Sequence, residues 1–402
     1  MKLLNMIKII LKKGREESLL RFHPWVFSGA IAQVHGTPSE GDVVGVYASD
    51  GTFLACGHYQ IGSIAVRVLS FDSDVLAKDF WEIMISRALQ VRIAAGIAGS
   101  SDTNCYRLVH GEGDNLPGLI IDYYDGVCVM QAHSVGMFRA RKQISDALQA
   151  VYGDSLKAVY DKSSGTAPFK AGLDLIDGYM YRRGDFDQNE LAVVENGHSF
   201  LVNWTEGQKT GFFLDQRENR ALVGRMSKGR NVLNLFCYTG GFSIYALAEG
   251  ALHVDSVDSS KKAMMMVDRN VALNGFDPSR HTSLCCDAID YLKNVPEGKY
   301  DLMIVDPPAF AKHRGALKNA LRAYQRLNAA AISKVAPGGL VFTYSCSQVV
   351  DKEAFALAVF SAAAQCGRSV RILDRLNQPC DHSVNIYHPE GEYLKGLLLY
   401  VE

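Results

Sequence analysis

From about residue 191 onward, short apolar segments alternate with segments of helical periodicity. The predicted strands read NVLNLF, HVDSVD, HTSLCC, DLMIVD and LVFTYS, and stretches such as GFSIYALAEG and SKKAMMMVDRNVALNG lie between them. Strands that alternate with helices pair in parallel, because each helix carries the chain back across the sheet before the next strand begins. The pattern predicts an α/β fold with a doubly wound parallel sheet, whose ligands bind at the carboxyl ends of the strands.

The remaining sequence predicts two further domains, because 402 residues are too many for one compact core. Residues 1–72 consist of short β-like runs between turns, with Asp50-Gly51 as a hairpin signal, and this pattern predicts a small β-barrel. Residues 73–190 mix strands and helices, which predicts a central α+β domain. The third domain then covers residues 191–402.

Composition excludes several classes of protein. The chain is 48% hydrophobic and 21% charged without low-complexity tracts, which is typical of a globular protein. No CxxC pair occurs among the nine cysteines, so neither a zinc ribbon nor a disulfide scaffold is predicted, and a cytoplasmic location is expected. The loop with His110, Glu112 and Asp114 lacks a further ligand at metal-binding spacing, so we interpret it as structural and predict no metal site. No apolar stretch reaches about 18 residues, so no membrane span is expected.

The charge distribution indicates a basic surface in one region of the chain. The net charge of -1 argues against a globally basic nucleic-acid-binding protein. Between Pro307 and Val350, however, there is no Asp or Glu but there are six cations, namely Lys312, Arg314, Lys318, Arg322, Arg326 and Lys334. A solvated helix face would explain this run equally well. Its position directly after the motif DPPAF favours a surface that contacts phosphates.

A second basic segment lies at the N-terminus. The first 21 residues hold six cations and two acids, and the aromatic sequence FHPW follows them. Basic residues beside aromatic residues suit RNA binding by phosphate contact and base stacking. An aromatic residue such as Trp25 in a small barrel is nevertheless more often part of the core.

Acidic residues at successive strand ends predict a nucleoside site. After NVLNLF, Gly240 and Gly241 would let the backbone approach a ligand at a helix N-terminus. Asp258 ends the next strand, where it can accept hydrogen bonds from a ribose diol, and Asp287 can bind the amino group of an adenine. One such acid is often only a helix N-cap. With Asp306 as a third strand-end acid, the nucleoside site is the better interpretation. The dinucleotide pattern G-x-G-x-x-G is absent, which counts against a nicotinamide enzyme.

The fourth and fifth strands end in residues that suit methylation of a pyrimidine. Asp306 is followed by two prolines that stiffen the strand exit, and Pro308 and Phe310 are predicted to contact a base. Cys346 follows LVFTYS at the neighbouring strand end. Carbon C5 of a pyrimidine becomes nucleophilic only after a thiolate adds at C6, and nearby cations favour the thiolate form.

Seven stretches carry a resemblance to a known family, and they are RFHPWVFSGAI, GEGDNLPGLIIDYY, GQKTGFFLDQRENR, NLFCYTGGFS, DPPAF, TYSCS and PEGEYLK. They span nearly the whole chain. Together they resemble the bacterial 23S ribosomal RNA large-subunit methyltransferase I family, which are cytosine-5 enzymes with an N-terminal PUA domain. The resemblance implies a PUA domain, a central α+β domain and a class I methyltransferase domain, with S-adenosylmethionine as cofactor and 23S rRNA as partner.

The resemblance also assigns site residues. It implies that the methyl donor is bordered by Phe212, Gln216, Arg217, Phe236, Asp258, Asp287 and Asp306. It further implies that Cys346 is the nucleophile. Other cytosine-5 RNA methyltransferases usually carry a second cysteine after the proline of the fourth-strand motif, but here that position is Pro308. The base that removes the C5 proton is therefore open, with Asp306 as the first choice and Glu390 or Glu392 as distant seconds.

Three alternatives remain on sequence grounds. A methyltransferase acting on an exocyclic amine, such as guanine N2, would share the fold and the donor site but would tolerate Cys346→Ala. A non-catalytic RNA-binding protein would use the strand-end acids only as caps. A small-molecule methyltransferase would leave the β-domain and the basic run without a purpose. No DNA or membrane partner is expected, homodimerisation is left open, and the target base must be unpaired or flipped out.

Overall fold

The chain folds into two compact units. The computed structural model describes residues 7–73, 76–168, 172–311 and 313–402. The first unit comprises Met1–Leu191, Val202–Phe212 and Cys380–Gly391, and the second comprises Ala192–Leu201, Phe213–Pro379 and Glu392–Glu402. The first two predicted domains thus fall in one unit, and the boundaries of the three predicted domains stay a prediction.

The N-terminal part of the first unit is a curled six-stranded sheet. Its strands are β1 (Lys8–Leu11), β2 (Trp25–Phe27), β3 (Ile31–His35), β4 (Val43–Tyr47), β5 (Phe53–Tyr59) and β6 (Ile64–Ser70), with the short helix α1 (Glu17–Leu20) between β1 and β2. The order is β2-β6-β5-β4-β1-β3, so β2 and β3 are outer strands of a half-barrel. The predicted Asp50-Gly51 turn connects β4 and β5. The predicted N-terminal β-domain is confirmed.

A five-stranded sheet with helices forms the rest of this unit. The strands are β7 (Cys105–His110), β8 (Leu119–Tyr124), β9 (Val127–Ala132), β10 (Ala158–Asp161) and β11 (Gly178–Arg182), and the helices are α2 (Phe80–Ala94), α3 (Val135–Arg139) and α4 (Arg141–Tyr152). The strand order is β11-β10-β9-β8-β7. Only β9 and β10 among these pair in parallel, because α3 and α4 carry the chain across between them. This is the predicted α+β arrangement.

A hairpin follows, formed by β12 (Glu190–Glu195) and β13 (His198–Asn203). Its two-residue turn is Asn196-Gly197, and both residues have left-handed backbone angles, with φ of 48° and 79°. Such angles match the twist of the flanking strands, which is why Asn-Gly is favoured there.

The second unit is built on a seven-stranded sheet. The strands are β14 (Asn231–Leu235), β15 (His253–Asp258), β16 (His281–Cys285), β17 (Leu302–Val305), β18 (Gly339–Ser345), β19 (Val370–Asn377) and β20 (Lys395–Val401). The helices are α5 (Arg217–Met226), α6 (Gly241–Ala248), α7 (Lys261–Leu273), α8 (Ala288–Asn294), α9 (Leu317–Lys334) and α10 (Lys352–Cys366). The strand order is β16-β15-β14-β17-β18-β20-β19.

This sheet confirms the predicted doubly wound α/β fold. Strands β14 to β18 pair in parallel, whereas β20 runs antiparallel to both of its neighbours. The four residues of β17 have no exposed surface, as expected for a central strand covered on both faces. The strand order reverses between β14 and β17, which is where doubly wound sheets bind ligands. None of the described helices is long and apolar enough to cross a membrane.

Buried ion pairs hold a distant segment of the chain in the first unit. The fully buried Arg92 forms a two-pronged ion pair with Asp114 and donates a 2.7 Å hydrogen bond to the carbonyl oxygen of Asp381. Arg107 pairs with Asp122 at 2.8 and 2.9 Å, and its backbone N–H donates to the carboxylate of Asp381. Buried charges of this kind cost much free energy when one partner is lost.

We expect Arg92→Met to destabilise the first unit, because it leaves the buried carboxylate of Asp114 without its cation. The free energy of unfolding should fall by about 3–5 kcal/mol. Tryptophan fluorescence in a urea titration measures this unit alone, since all three tryptophans of the chain lie in it. The control Lys142→Met removes the exposed ion pair with Asp146 and should change stability by less than about 0.5 kcal/mol. Equal stability of Arg92→Met and the wild type would contradict the expectation.

Candidate functional site

The strand register of the second unit brings the predicted site residues to one edge of the sheet. Leu235 of β14 pairs with Val257 of β15 and with Val305 of β17. The residue that follows each of these in the chain is Phe236, Asp258 and Asp306, respectively. These three predicted residues therefore lie in one row at the carboxyl ends of adjacent parallel strands.

Asp258 fixes the loop that follows β14. Its carboxylate accepts hydrogen bonds from the backbone N–H groups of Tyr238, at 3.1 Å, and Ser260, at 2.9 Å. Phe236 and Tyr238 both have left-handed backbone angles, with φ of 58° and 48°. Non-glycine residues rarely adopt this conformation, and such strain is common at functional sites.

The two glycines of this loop allow close packing inside the protein. Gly240 has a φ of 81°, and a Cβ atom there would lie 3.0 Å from a methyl group of Val267. At Gly241 a Cβ atom would lie 2.9 Å from Cδ of Arg220. The sequence analysis attributed both glycines to a ligand, but packing against α7 and α5 also requires them. Gly240 precedes α6 directly, as predicted.

Gln216 and Asp306 are joined directly. Gln216 Nε2 donates a 2.9 Å hydrogen bond to Asp306 Oδ2, and Gln216 Oε1 accepts one of 2.6 Å from Asn219. Two residues predicted on separate sequence motifs therefore share one hydrogen-bonded chain. Asn219 is a functional candidate that sequence reasoning missed, although it lies in the quoted stretch GQKTGFFLDQRENR.

Arg217 lies in a buried cluster around Glu195. Its Nε atom is 3.5 Å from Glu195 Oε2, and Arg220 forms a two-pronged pair with the same carboxylate at 2.8 and 2.7 Å. Tyr245 Oη adds a 3.0 Å hydrogen bond. Glu195 was not predicted, because nothing in its local sequence marks it. Phe212 is buried in the first unit, so its assignment to the donor site stays a prediction.

Asp287 caps the start of α8. Its Oδ1 atom accepts hydrogen bonds from the backbone N–H groups of Ile289 and Asp290, both at 2.9 Å. This is the cap role that a single strand-end acid often has. Because one oxygen accepts both bonds and the residue is exposed, Asp287 can still accept a further hydrogen bond.

The motifs DPPAF and TYSCS meet at the ends of β17 and β18. The backbone N–H of Ala311 donates a 3.3 Å hydrogen bond to Ser347 Oγ, and Ser345 Oγ donates one of 2.9 Å to Tyr324 Oη on α9. Cys346 is half-buried between these two anchored serines. The cysteine therefore lies on a fixed loop one strand away from Asp306.

The two residues predicted to contact a base differ in exposure. Pro308 is exposed, whereas Phe310 is half-buried and its ring centroid lies 4.8 Å from that of Tyr324. Part of the Phe310 ring is thus used for packing inside the protein, which the sequence could not reveal.

Lys395 is a buried cation close to the cysteine loop. Its Nζ atom donates hydrogen bonds to the carbonyl oxygens of Ser347, at 2.6 Å, and Val350, at 2.7 Å. The antiparallel pairing of β20 with β18 sets Lys395 opposite Ser345. Burial lowers the pKa of Lys395 to about 8, and the proximity of Cys346 partly opposes that shift. Sequence reasoning missed Lys395, although it ends the quoted stretch PEGEYLK.

The predicted basic surface follows one face of α9. Lys318, Arg322 and Arg326 are exposed and spaced four residues apart, and Arg314 is exposed on the 3₁₀ turn before the helix. The opposite face carries buried residues such as Tyr324 and packs on the core. Lys312 lies outside the described residues. Contact of this surface with RNA stays a prediction.

The loop with His110, Glu112 and Asp114 uses its acids within the first unit. Glu112 accepts hydrogen bonds from Trp25 Nε1, at 2.8 Å, and from Arg67, at 2.9 Å. Asp114 pairs with Arg92, as described above. These contacts support the structural interpretation of the loop, and they also tie Trp25 into the folded unit.

Comparison with known proteins identifies the family. A family model for S-adenosylmethionine-dependent methyltransferases matches residues 183–398, and a PUA-like domain matches residues 9–71. A ribosomal RNA large subunit methyltransferase I from Aeromonas hydrophila is 39% identical over 97% of this chain and 98% of its own length. The enzyme of the same name from Shewanella amazonensis is 39% identical over 98% of both chains. The chain belongs to this family.

Solved structures support the fold. A SAM-dependent methyltransferase from Streptococcus mutans is 23% identical, with a TM-score of 0.82 over 98% of this chain and 100% of its own. A methyltransferase solved in complex with SAH is 24% identical, with a TM-score of 0.84 over the same shares of the two chains. The chain is thus an S-adenosylmethionine-dependent methyltransferase with a PUA-like N-terminal domain, which confirms the resemblance found in the sequence.

Proposed function

We propose that this methyltransferase forms 5-methylcytosine in 23S rRNA, with Cys346 as the nucleophile. The relatives are named for the RNA of the large ribosomal subunit. The observation that carries the proposal is the place of Cys346, on an anchored loop at the carboxyl end of β18 beside the strand that ends at Asp306. A thiolate at this edge of the sheet can reach a base that is presented to the donor site.

The residues at the strand ends fit the methyl donor. Backbone hydrogen bonds hold the carboxylate of Asp258 at the end of its strand, where it can accept hydrogen bonds from ribose hydroxyls. Asp287 keeps one carboxylate oxygen that can accept a hydrogen bond from the adenine amino group. We propose that Phe236, Gly240 and Gln216 line the same site. Arg217 would act indirectly, through its pairing with Glu195. When bound, S-adenosylmethionine supplies the methyl group.

The proposed chemistry uses the base and the protein's own groups. The Cys346 thiolate forms a bond to C6 of the cytosine, and the electrons of the C5–C6 double bond make C5 nucleophilic. After C5 has gained the methyl group, a base removes the C5 proton. The electrons of the C5–H bond then restore the double bond, and the Sγ–C6 bond breaks to release the thiolate.

Asp306 is the proposed base. Asp306 follows β17 directly and lies at the same edge of the sheet as Cys346. Gln216 orients its carboxylate through a hydrogen bond. The two alternatives have other partners, since Glu392 forms an ion pair with Lys352 and Glu390 Oε2 lies 3.9 Å from His388 Nε2. This leaves Asp306 as the carboxylate in the second unit that best suits the role.

Lys395 is proposed to hold Cys346 as a thiolate. A cation beside a thiol favours the deprotonated form, and burial strengthens the effect because the local dielectric constant is low. The two carbonyl groups that hold the ammonium belong to Ser347 and Val350, which follow Cys346 in the chain, so Lys395 also fixes the position of this loop. Lys395 acts through Cys346 and is therefore a positioning residue.

RNA binding is proposed for the exposed face of α9. Lys318 and Arg322, with Arg314 before the helix, form no ion pair with any residue that the structure describes, so their charges are available to phosphates. Pro308 and Phe310 lie between this helix and Asp306 in the chain, which is consistent with contact to the target base.

Cys346→Ala should abolish methyl transfer while S-adenosylmethionine binding is retained. We expect a loss of at least about a thousandfold, since removing a nucleophile removes the covalent route. The assay measures the transfer of labelled methyl groups to 23S rRNA that lacks the modification, and the labelled nucleoside is then identified. Cys366→Ala is the matched control, because Cys366 ends α10 and its thiol donates to the Ala329 carbonyl oxygen. Equal transfer by wild type and Cys346→Ala would assign the enzyme to an exocyclic amine instead.

Asp306→Asn should trap the covalent adduct between protein and RNA. The amide keeps the shape and can still accept a hydrogen bond from Gln216, but it cannot remove the C5 proton. We expect product release to slow by about a hundredfold or more, and a slowly migrating protein–RNA band should accumulate on denaturing gels. Glu392→Gln serves as the comparison and should release product normally. Release by Asp306→Asn at the wild-type rate would exclude Asp306 as the base.

Lys395→Met should lower the transfer rate most strongly near neutral pH. Below about pH 8 Lys395 carries its charge and favours the thiolate, and above that pH the charge is lost. We therefore expect a deficit of about tenfold at pH 7 that shrinks towards pH 9, since each pKa unit corresponds to a tenfold change. Lys228→Met, which changes an exposed lysine of the same unit outside the basic run, should behave as wild type at each pH. A deficit that does not change with pH would show that Lys395 has only a structural role.

A further inference from the structure

Three potential metal ligands meet in the first unit, and none of them is among the residues proposed for methyl transfer. One ring nitrogen of His23, one of His388 and one carboxylate oxygen of Glu390 all lie within 4.8 Å of one another. His23 precedes β2, whereas His388 and Glu390 flank Pro389 in the segment that the buried arginines hold in this unit. The sequence analysis predicted no metal from the absence of CxxC pairs and from the loop with His110, and it did not bring these three residues together because they lie at opposite ends of the chain.

His388 is the central observation. Its side chain is buried, with 3% of the residue exposed, and neither ring nitrogen has a hydrogen-bond partner among the residues that the structure describes. Buried polar groups without partners are rare and call for an explanation such as a bound ion. Nε2 lies 3.9 Å from Glu390 Oε2, which is too long for a hydrogen bond. Two ligands of one zinc ion lie about 3.4 Å apart, and a small rotation of the exposed Glu390 side chain closes this difference.

The surroundings hold the imidazole of His388 in place. The ring of Trp25 lies 4.3 Å from it, and Trp25 is fixed in turn by the hydrogen bond to Glu112. Pro389 restricts the backbone between the two ligands His388 and Glu390. A histidine held in this way loses little conformational freedom when it binds an ion.

His23 must give up one weak contact to bind an ion. Its Nδ1 atom accepts a hydrogen bond from the backbone N–H of Trp25 at 3.2 Å, which is at the long end for this type of bond. An ion at Nδ1 displaces this bond, and an ion at Nε2 requires a proton at Nδ1. Either change removes one neutral hydrogen bond, which a bond from nitrogen to a metal outweighs.

We propose that His23, His388 and Glu390 bind a divalent transition-metal ion of the Zn²⁺ class. Two imidazoles and one carboxylate form a set that zinc uses with water as its fourth ligand. The ion would link the start of β2 to the segment Cys380–Gly391 within the first unit. This role does not depend on the proposed function.

Zn²⁺ titration of the full chain by calorimetry tests the site. The exposed Cys285 and Cys380 are first changed to Ser, so that thiols at the surface do not compete for the ion. We expect one saturable Zn²⁺ per chain and a higher temperature of the tryptophan fluorescence transition in its presence. Co²⁺ should quench the fluorescence of Trp25, because its ring contacts His388.

Two variants and one control decide the outcome. His388→Ala and Glu390→Gln should each weaken Zn²⁺ binding by at least about tenfold, and Glu390 is exposed, so its variant is expected to fold. His35→Ala removes an exposed histidine of the same unit and should bind as the parent does. The proposal would be overturned if the protein that carries only the two cysteine substitutions showed no saturable Zn²⁺ binding, or if all of these proteins bound Zn²⁺ with equal affinity.

Discussion

The parallel pairing of β17 with β14 and β18 determines the candidate site. Val305 lies opposite Leu235 on one side and Thr343 on the other, and β17 is wholly buried. A shift by one residue would turn every side chain of the strand to the other face of the sheet, so burial on both faces fixes the register. The residues after these strands, including Asp306 and Cys346, then meet at one edge without any direct contact having to bring them together.

This explains which parts of the fold and the site could be predicted from the sequence. Strands and helices follow from local periodicity, and the end of a strand is also a local property, so Asp258, Asp306 and Cys346 could be placed at strand ends. The partners of these residues depend on long-range pairing. Gln216 reaches Asp306 from the position just before α5, and Lys395 approaches the cysteine loop only because β20 runs antiparallel to β18.

Residue type alone could not decide the role of a glycine in the loop after β14 or of an acid at a strand end. The left-handed backbone at Gly240 favours glycine, but the sequence could not show that Val267 is the group that approaches it. An acid that caps a helix and an acid that binds a nucleoside look the same in sequence, and Asp287 shows that one residue can cap a helix through one oxygen and keep the other as an acceptor. In both cases the missing information was the identity of a neighbour from another element.

The stretch PEGEYLK shows how a linear motif can serve two units. Glu390 and Gly391 belong to the first unit, whereas the residues from Glu392 to Lys395 belong to the second. The sequence analysis ranked Glu390 and Glu392 equally as alternative bases, because they are only two positions apart in the chain. They nevertheless fold into different units. Glu390 lies beside the buried His388, and Lys395 holds the loop of Cys346. The contacts that each residue makes, rather than its place in the motif, determine the chemistry that it can take part in.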